Sequence, residues 1–361
     1  MSTEYQRLGD YIREVNVRNR ELRVTNLLGL SIEKKFIPSI ANTIGTDMSA
    51  YKIVQPSQFA YVPVTSRNGE KITVALYDDG KDAAIISQAY TIFEIVDQDV
   101  LLPEYLMMWF RRPEFDRYAR FHSHGSAREV FDWDELCNVQ LPVPSIVRQR
   151  EIVSEYETLT RRIRLNEQMI AKLEETAQAL YRKMFVDGVD KENLPEGWRR
   201  ATLGDIAEVN SGKTCVDKSD IKDVLYQYPV AGASGVIGFS STYNYAEKLM
   251  TTGRVGTLGV VNRYNQQIYM ADNVLVVRSK YYEYCYQILT SLDYSEITKG
   301  GVQSLITQTD LKESAIMIPP KDLLDSFEQQ SSSLYLFVET KRQENEKLME
   351  LQSLLLARMG K

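Results

Sequence analysis

The sequence lacks the long apolar runs, the leader segment and the paired cysteines that mark membrane and secreted proteins. No run of about 18 apolar residues occurs in the 361 residues, so we expect no membrane-spanning helix. The first residues, Met1 to Arg7, lack the apolar core of a signal peptide. Cys137, Cys215 and Cys285 are odd in number and lack CxxC spacing, which favours ordinary thiols in a reducing compartment. These absences predict a cytoplasmic protein.

The sequence also lacks recognisable catalytic and cofactor motifs. Ser211-Gly212-Lys213-Thr214 looks like the end of a phosphate-binding loop, but that motif requires glycine where this chain has Ala207. His122 and His124 have no cluster of Cys, Asp or Glu at metal-ligand spacing. An Asp/Asn-Pro-Pro-Tyr/Phe segment, which would hold a flipped base, is missing, as is a glycine-rich turn for S-adenosylmethionine. We therefore predict no catalytic residue, no metal and no cofactor on this chain.

The chain has little of the positive charge that is typical of DNA-binding proteins. Its net charge is −6, from 43 basic and 49 acidic residues, which argues weakly against nucleic acid. However, residues 198–320 hold 12 basic and 12 acidic residues, and affinity for phosphates depends on the surface presented. The balance predicts that this chain alone binds DNA weakly and needs basic partners.

The chain is long enough for two domains, and its two halves repeat one plan. Residues 125–136 and 300–311 begin equivalent segments 175 positions apart, each followed by a strand-like run, prolines and a long amphipathic helix. A second similarity, at an offset of 195, joins residues 8–12 to residues 203–207. The predicted segments are a globular domain at 1–145, a long helix at 146–186, a linker at 187–197, a second globular domain at 198–320 and a second long helix at 321–361.

Heptad spacing in the two long helices predicts a coiled coil. A 3.5-residue repeat persists for more than four heptads in each helix. Antiparallel pairing places Asn166 opposite Asn345, and such a buried amide pair fixes register at a cost in stability. Parallel pairing would place Asn166 opposite Lys341, so we predict the antiparallel form; the alternative is two helices that each pack on their own domain. The predicted seam consists of Ile152, Leu159, Ile163, Asn166, Ile170, Leu173, Leu180, Met184, Leu334, Val338, Asn345, Leu348, Leu355 and Met359.

The paired helices also predict a distance. The outer seam positions are 32 residues apart, or roughly 48 Å at about 1.5 Å per residue. One turn of B-DNA measures about 34–36 Å, so this spacing suits a protein that reads two half-sites on one face of a duplex. The expected fold class is mixed α+β, with two α/β domains separated by an antiparallel coiled coil and an internal pseudo-two-fold repeat.

Several stretches carry a resemblance to a known family. They are residues 29–42, 103–116, 228–239 and 253–256, with the junctions Leu141-Pro142-Val143-Pro144 and Ile318-Pro319-Pro320. Over essentially its whole length the chain resembles the DNA-specificity (S) subunit of type I restriction–modification systems. The Glu-Gln pair that usually follows the junction reads Arg148-Gln149 in the first half and Phe327-Glu328-Gln329 in the second.

The resemblance implies a non-catalytic subunit with target-recognition domains at 1–145 and 198–320, each reading one half-site of a split double-stranded DNA target. It implies two methyltransferase (M) subunits and restriction/translocase (R) subunits as partners, and no membrane. S-adenosylmethionine, ATP and Mg²⁺ would be bound by those partners. The complex would methylate adenines in the target, or translocate and cut DNA that is unmodified.

Candidate DNA contacts follow from the chemistry of base and phosphate recognition. Bases are read by directional donors and acceptors on exposed loops, and phosphates by Arg, Lys, hydroxyl or free N–H groups. The candidates in the first domain are Lys34, Lys35, Ser39, Asn42, Arg67, Ser87, Arg117, His122, Ser126 and Arg128. Those in the second domain are Ser211, Lys213, Ser234, Tyr243, Arg254, Asn262, Arg263, Gln303 and Ser304. The alternative for each is an ordinary solvated loop side chain.

Two other functions stay open at this point. The first is a self-contained enzyme whose motifs have diverged, and it would methylate DNA without a partner. The second is a non-enzymatic scaffold or DNA mimic, which would fit the acidic total. The basic Lys34-Lys35 pair and the loops that carry Arg254 and Arg263 argue against a mimic.

Overall fold

The chain folds into two compact units. The computed structural model describes residues 5–39, 45–66, 69, 71–78, 82–125, 128–254, 258–297 and 305–360. Unit 1 comprises Met1–Asn166 with Gln343–Lys361, and unit 2 comprises Glu167–Arg342. Each unit therefore contains one globular domain and about half of each long helix. None of the helices in the described part of the chain combines the length and the hydropathy needed to cross a lipid bilayer.

Unit 1 is built from short strands and helices. Its strands are β1 (Tyr5–Arg7), β2 (Ile12–Val15), β3 (Leu28–Leu30), β4 (Phe36–Pro38), β5 (Lys52–Val54), β6 (Phe59–Tyr61), β7 (Val74–Leu76), β8 (Ala84–Ile86), β9 (Thr91–Ile95) and β10 (Gln140–Pro142). Its helices are α1 (Pro103–Phe110), α2 (Pro113–Phe121), α3 (Trp133–Cys137) and the first part of the long α4 (Ile146–Phe185). Proline opens α1 and α2, because its missing N–H would have no partner in the first turn anyway.

An antiparallel sheet with the strand order β2-β9-β6-β7 forms the centre of unit 1. Phe59 of β6 stacks on Phe93 of β9 with ring centroids 4.9 Å apart, and Phe110 of α1 lies edge-on to both rings. All three rings are fully buried. Burial of one such side chain contributes about 1.5–3 kcal/mol, so this cluster holds α1 firmly on the sheet.

Unit 2 contains the remaining elements. Its strands are β11 (Arg199–Thr202), β12 (Glu208–Ser211), β13 (Tyr228–Gly232), β14 (Gly235–Ser240), β15 (Leu249–Gly253), β16 (Val261–Tyr264), β17 (Tyr269–Met270), β18 (Val274–Arg278) and β19 (Ala315–Ile318). Its helices are α5 (Tyr282–Ser291), α6 (Tyr294–Ile297), α7 (Gln308–Lys312) and the first part of the long α8 (Lys321–Arg358).

Strand β18 separates two cores of unit 2. It lies inside a sheet with the strand order β12-β18-β15-β16, and a second sheet has the order β14-β13-β17. Leu275 and Val277 pack in the core that includes α5, whereas Val274 and Val276 pack in the core beside β13 and β17. Because successive side chains of a strand point to opposite faces, four consecutive apolar residues fill both cores.

Both domains close by pairing their first and last strands. Strand β1 pairs antiparallel with β10, and β11 pairs antiparallel with β19. After each closure a proline-containing junction leads into a long helix, which begins at Ile146 or at Lys321. The repeat at an offset of 175 is therefore a repeat of this closure, and the chain between the paired strands differs between the two domains.

The two long helices pack against each other in antiparallel orientation. In unit 1, Asn166 donates a hydrogen bond to Asn345 at 2.8 Å, and Gln352 donates to Thr160 at 2.7 Å. Residue numbers rise along α4 as those of their partners fall along α8. This order confirms the predicted antiparallel pairing of the helices and the mixed α/β fold.

The same pairing continues along the helices in unit 2. Arg342 and Glu174 form an ion pair at 2.6 Å, and Ala177 is buried in a cluster with Tyr335 and Val338. Of the predicted seam residues in both units, those that are buried are Asn166, Val338, Asn345 and Met359. Those that are half-buried are Ile152, Leu159, Ile163, Ile170, Leu173, Leu180, Met184, Leu334, Leu348 and Leu355.

Side chains with equivalent roles in the two helices lie 179 positions apart, rather than 175. Gln149 accepts a hydrogen bond from the Leu102 N–H, immediately before α1, and Glu328 accepts hydrogen bonds from the first turn of α5. Asn166 and Asn345, which bond to each other, have the same separation. Helix α8 therefore has about one extra turn before its capping residue. The apolar pattern does not reveal this turn, because a shift of four residues moves one seam position onto the next.

Candidate nucleic-acid interface

A turn at Met270–Asn273 gathers the loops of unit 2 that carry candidate DNA contacts. The Lys213 N–H donates to the carbonyl of Met270 at 2.9 Å. The side chain of Asn244 donates to the same carbonyl at 3.1 Å and accepts from the Met270 N–H at 2.8 Å. The loop that carries Lys213 and the loop that carries Tyr243 are thus fixed to one point of the backbone.

The other end of this turn holds Arg254. Its backbone N–H donates to the Asn273 carbonyl at 3.1 Å, and its guanidinium Nη1 donates to the Asp272 carbonyl at 3.3 Å. The Asp272 carboxylate accepts a hydrogen bond from Thr214 at 2.7 Å. Backbone and side-chain groups of one short turn therefore bring Lys213, Thr214 and Arg254 together.

The close approach of these segments requires glycine at position 212. A Cβ atom there would lie 1.9 Å from the carbonyl oxygen of Ala271 and 2.6 Å from that of Met270. Both neighbours are backbone atoms, which cannot rotate away. The glycine of the apparent phosphate-loop motif therefore serves the packing of two loops. No helix follows it between Ser211 and Tyr228, as a phosphate-binding loop would need.

The remaining candidates of unit 2 differ in exposure. Lys213, Ser234 and Tyr243 are exposed, and the Tyr243 ring lies 4.9 Å from the ring of Tyr228. Those that are half-buried are Ser211, Arg254, Asn262 and Arg263. The Ser211 hydroxyl accepts a hydrogen bond from Gln308 at 2.7 Å, and the Asn262 side chain donates to the Ala233 carbonyl at 3.4 Å.

The prediction of Arg263 as a DNA contact assumed that its guanidinium faces solvent. In the structure the guanidinium is turned away from solvent. Its side chain is only 15% exposed, and its Nη2 lies 2.8 Å from both carboxylate oxygens of the buried Glu283. The guanidinium carbon also lies 3.6 Å from the centre of the Tyr335 ring. Arg263 is therefore held inside the domain, by partners that are distant in sequence.

Lys34 in unit 1 also departs from the expected exposure. Its ammonium lies 2.7 Å from the Asp116 carboxylate and donates to the carbonyl of Phe110. The side chain is 6% exposed, and burial lowers the pKa of Lys34 in spite of the neighbouring carboxylate. The Asp116 carboxylate also accepts from the Ile72 N–H at 3.1 Å. Lys34 thus joins its own loop to α2, and its ammonium is turned away from solvent.

Three other candidates of unit 1 are exposed cations. Lys35, next to it in the chain, is exposed, and so is Arg117, which follows Asp116 on α2. Arg117 lies 3.4 Å from Glu114 one turn earlier, a weak surface pair. Arg128 is also exposed. These cations supply positive charge along α2 and its neighbouring loops.

The two histidines lie at the end of α2. The His122 ring stacks on Tyr118 with centroids 4.2 Å apart, and its Nδ1 lies 3.1 Å from Glu135. His124 lies 3.9 Å from the same carboxylate. Among the described residues, no group of three His, Cys, Asp or Glu side chains is arranged to hold a metal ion.

Two hydroxyl candidates lie elsewhere in unit 1. Ser39 and Ser87 are half-buried, and the Ser39 N–H donates to the Leu27 carbonyl at 3.3 Å. The Ser87 hydroxyl accepts from the Ala89 N–H at 3.3 Å. The candidates that lie outside the described residues are Asn42, Arg67, Ser126, Gln303 and Ser304.

Known proteins share both the sequence and the fold of this chain. Residues 195–352 match the family model of the type I restriction modification DNA specificity domain. The chain is 19% identical to the specificity subunit of the type I restriction enzyme HindI from Haemophilus influenzae, over 98% of this chain and 97% of that protein. The chain is therefore similar to type I DNA-specificity subunits.

Other restriction-system proteins are also similar to this chain. The specificity subunit of type I restriction enzyme MjaIX from Methanocaldococcus jannaschii is 24% identical over 64% of this chain, and the match spans 62% of that relative. The crystal structure of a type I restriction–modification S subunit from M. genitalium has a TM-score of 0.62 at 14% identity. It covers 100% of this chain and 97% of that structure, so the two share a fold.

Sequence reasoning missed two features of this chain. The first is the turn at Met270–Asn273, whose Asp-Asn pair is a typical turn signal but does not show what the turn contacts. The second is Phe121, whose side chain at the end of α2 is 80% exposed beside the histidines. Its position four residues after Arg117 places both on one face of the helix, and this spacing was the available signal.

Proposed function

We propose that this chain is the DNA-recognition subunit of a type I restriction–modification enzyme, and that each recognition domain reads one half of a split target. The observation that carries the proposal is the duplicated closure, β1 with β10 and β11 with β19, each leading into a long helix. One continuous site would need only one such module. Two modules that share a closure and differ in their loops suit two unlike half-sites.

The exposed candidate contacts are proposed to form one DNA-binding surface in each unit. In unit 2, Lys213 and Arg254 lie beside the Met270–Asn273 turn, with the exposed Ser234 and Tyr243 available to base edges. In unit 1 the corresponding surface contains Lys35, Arg117 and Arg128. Lysine and arginine bind phosphates in a salt-dependent way, and hydroxyl and amide groups discriminate between bases.

The long helices are proposed to set the unread spacer between the half-sites. Both α4 and α8 are continuous helices with residues in both units. At 40 residues, α4 is about 60 Å long. The Asn166–Asn345 bond supports one register of the pair, because a shifted register would bury two amides without partners.

Catalysis is assigned to partner subunits. The relatives are named as specificity subunits of type I restriction enzymes, which supports a role in recognition. We propose two methyltransferase subunits that bind S-adenosylmethionine, and restriction/translocase subunits that use ATP and Mg²⁺. The exposed charged faces of α4 and α8 are surface on which such subunits could dock, and the assembly would act in the cytoplasm, where the DNA is.

The assignment is tested by reconstitution. Labelled methyl transfer from S-adenosylmethionine to adenine in DNA is measured for the chain alone, for its methyltransferase subunit alone and for the mixture. We expect transfer only from the mixture. Transfer by the chain alone would establish a self-contained enzyme and overturn the proposal. Replacement of residues 198–320 by those of another specificity subunit should then change one half of the methylated motif and leave the other half intact.

The second candidate is a scaffold or DNA mimic, which the net charge of −6 favours. A mimic would occupy the DNA-binding channel of a nuclease or methyltransferase and compete with duplex DNA. In the same reconstitution it would inhibit methylation as its concentration rises. A recognition subunit would increase methylation until it saturates the methyltransferase.

A further inference from the structure

Arg263 lies at the centre of a buried cluster that joins three elements of unit 2. It belongs to β16, and its Nη2 contacts Glu283 of α5 at 2.8 Å. Its guanidinium carbon lies 3.6 Å from the ring centre of Tyr335 on α8 and 4.7 Å from that of Tyr286 on α5. A planar guanidinium can lie flat on a ring and bond to a carboxylate at the same time.

The carboxylate of Glu283 gives this cluster its strength. Glu283 is fully buried, and its partners are Arg263 and Lys248, the latter at 2.9 Å. A buried carboxylate is costly without such partners, so the position of Arg263 is strongly determined. Lys248 precedes β15 and is itself 42% exposed, so the better-shielded partner is Arg263.

Helices α5 and α8 are joined at two further points. The Gln287 side chain donates to the Tyr335 hydroxyl at 3.2 Å. The Glu328 carboxylate accepts from the backbone N–H groups of Glu283 and Tyr284, at 3.1 and 2.8 Å, and so caps α5. Helix α5 is therefore fixed to the long helix at its first turn and near its middle, and Arg263 adds the sheet to this assembly.

The strand that carries Arg263 also carries candidate DNA contacts. In the β15–β16 pairing, Asn262 lies opposite Thr251 and Arg263 lies opposite Met250. Since neighbouring side chains of a strand point to opposite faces, Arg263 faces the helices while Asn262 faces the Ala233 loop. Arg254 follows the other strand of this hairpin. A tilt of the hairpin about Arg263 would displace Asn262 and Arg254 together.

Unit 1 contains a weaker form of the same contact. The Arg111 guanidinium lies 5.8 Å from the ring centre of Tyr156 on α4. Tyr156 and Tyr335 have the 179-position separation that also relates the capping residues and the paired asparagines. An arginine from each domain therefore lies over the equivalent tyrosine of the long helix that follows that domain.

We propose that Arg263 is a positioning residue that locks the β15–β16 hairpin to α8, and thereby restricts the spacer lengths at which the second half-site is accepted. It acts through Tyr335 and Glu283 and does not contact DNA. The inference rests on the proposed function, since it assumes that α8 belongs to the element that sets the spacer. The range of spacer lengths that is accepted would then depend on a residue inside the recognition domain as well as on the length of the helices.

The test uses the complete complex of this chain with its methyltransferase subunit. Methylation rates are measured on duplexes that carry the wild-type half-sites with the native spacer or with a spacer one base pair longer or shorter. Arg263→Met should reduce the ratio of native to altered-spacer rates by about tenfold, the effect expected from loss of one strong buried contact. Arg263→Lys, which keeps the charge and loses the stack, should give an intermediate ratio.

Tyr335→Leu removes the stack and leaves the Arg263–Glu283 pair in place, so it tests the same contact if Arg263→Met does not fold. It should lower the spacer ratio in the same direction. The matched control is Arg254→Met on the same hairpin, which should weaken methylation at all spacers equally. An unchanged spacer ratio in folded Arg263→Met or Tyr335→Leu complexes would overturn the inference, as would altered base preference in the second half-site. The wild-type complex is measured separately. If it fails to methylate a split target, the proposed function is refuted rather than the inference about Arg263.

Discussion

The Asn166 side chain donates a 2.8 Å hydrogen bond to the Asn345 side chain, and both residues are almost fully buried in the seam between the long helices. The Asn345 side chain also donates to the Ile163 carbonyl at 3.4 Å. Arg162, which lies one turn before Asn166 on α4, forms an ion pair with Glu344, which adjoins Asn345 on α8. The amide pair therefore identifies the antiparallel register, because only one alignment satisfies both side chains.

Replacement of one asparagine of this pair should lower the free energy of unfolding more than replacement of both. Asn166→Leu leaves the Asn345 amide without its main partner and should lower the free energy of unfolding by about 1–3 kcal/mol. The double variant Asn166→Leu/Asn345→Leu places two apolar side chains in the seam and should be as stable as the wild type or more stable. Urea denaturation of the wild type, both single variants and the double variant measures the coupling. Additive losses in the double variant would contradict the account.

Lys34 and Lys35 are adjacent but should respond differently to substitution. Lys34→Met leaves Asp116 without its cation and should lower the free energy of unfolding by about 1–3 kcal/mol. Lys35→Met should change stability by less than about 0.5 kcal/mol, weaken DNA binding and reduce the dependence of affinity on salt by about one phosphate contact. Thermal unfolding and binding at several salt concentrations distinguish the two. A reduced salt dependence in folded Lys34→Met would show that Lys34 reaches the DNA after all.

Gly212→Ala should destabilise unit 2. The added Cβ would lie 1.9 Å from the Ala271 carbonyl oxygen, so the loop that carries Lys213 would have to move at a cost of about 1–3 kcal/mol. The control in the same unit is Gly204→Ala, whose Cβ would lie 3.4 Å from Lys312, an ordinary contact. Calorimetric unfolding of both variants checks the difference. Equal melting temperatures would mean that the two loops approach each other less closely than described.

Glu328 should make stability depend on pH. Burial raises the pKa of Glu328, and the negative charge of Glu283 acts in the same direction, against two backbone N–H donors that lower it. The pKa of Glu328 is higher in the folded state than in the unfolded state. Its contribution to stability is therefore present in acid and is lost as pH rises through the folded-state pKa. Glu328→Gln lacks this loss, so its stability relative to the wild type should increase as pH rises.

Urea denaturation of Glu328→Gln and the wild type between about pH 4 and pH 8 checks this sign, since that interval includes the ordinary carboxyl range. Glutamine is a conservative replacement, because Gln149 accepts a hydrogen bond at the equivalent position before α1. Glu350→Gln, on the exposed side of the same helix, controls for loss of one negative charge. A stability difference that decreases with rising pH would contradict the assignment.

The architecture was predictable from the sequence where it depends on local pattern. The heptads predicted the paired helices, and the opposed Asn166 and Asn345 predicted the antiparallel orientation, because polar seam residues have few acceptable partners. The repeat at 175 correctly located the strand–helix junctions, but it did not reveal the extra turn of α8. Apolar residues at alternating steps of three and four fit an offset of 175 and an offset of 179 equally well. Only specific polar contacts, such as that of Glu328, distinguish the two offsets.

The candidate contacts were less predictable, because exposure depends on residues far away in the chain. Lys34 is covered by Asp116 on α2, and Arg263 by Tyr335 on α8. Neither partner follows from local sequence, so both cations looked like free loop residues. Lys213 and Arg254 lie near each other through the Met270–Asn273 turn, whose neighbours only the folded sheets determine.

The central claim is that two domains of one chain read two separate half-sites. It is tested most directly by mapping every methylated adenine in DNA treated with this chain and its methyltransferase subunit. The account predicts one split motif, with two different half-sites of defined bases and a fixed number of unread base pairs between them. A single continuous motif, or methylation without any sequence preference, would contradict it.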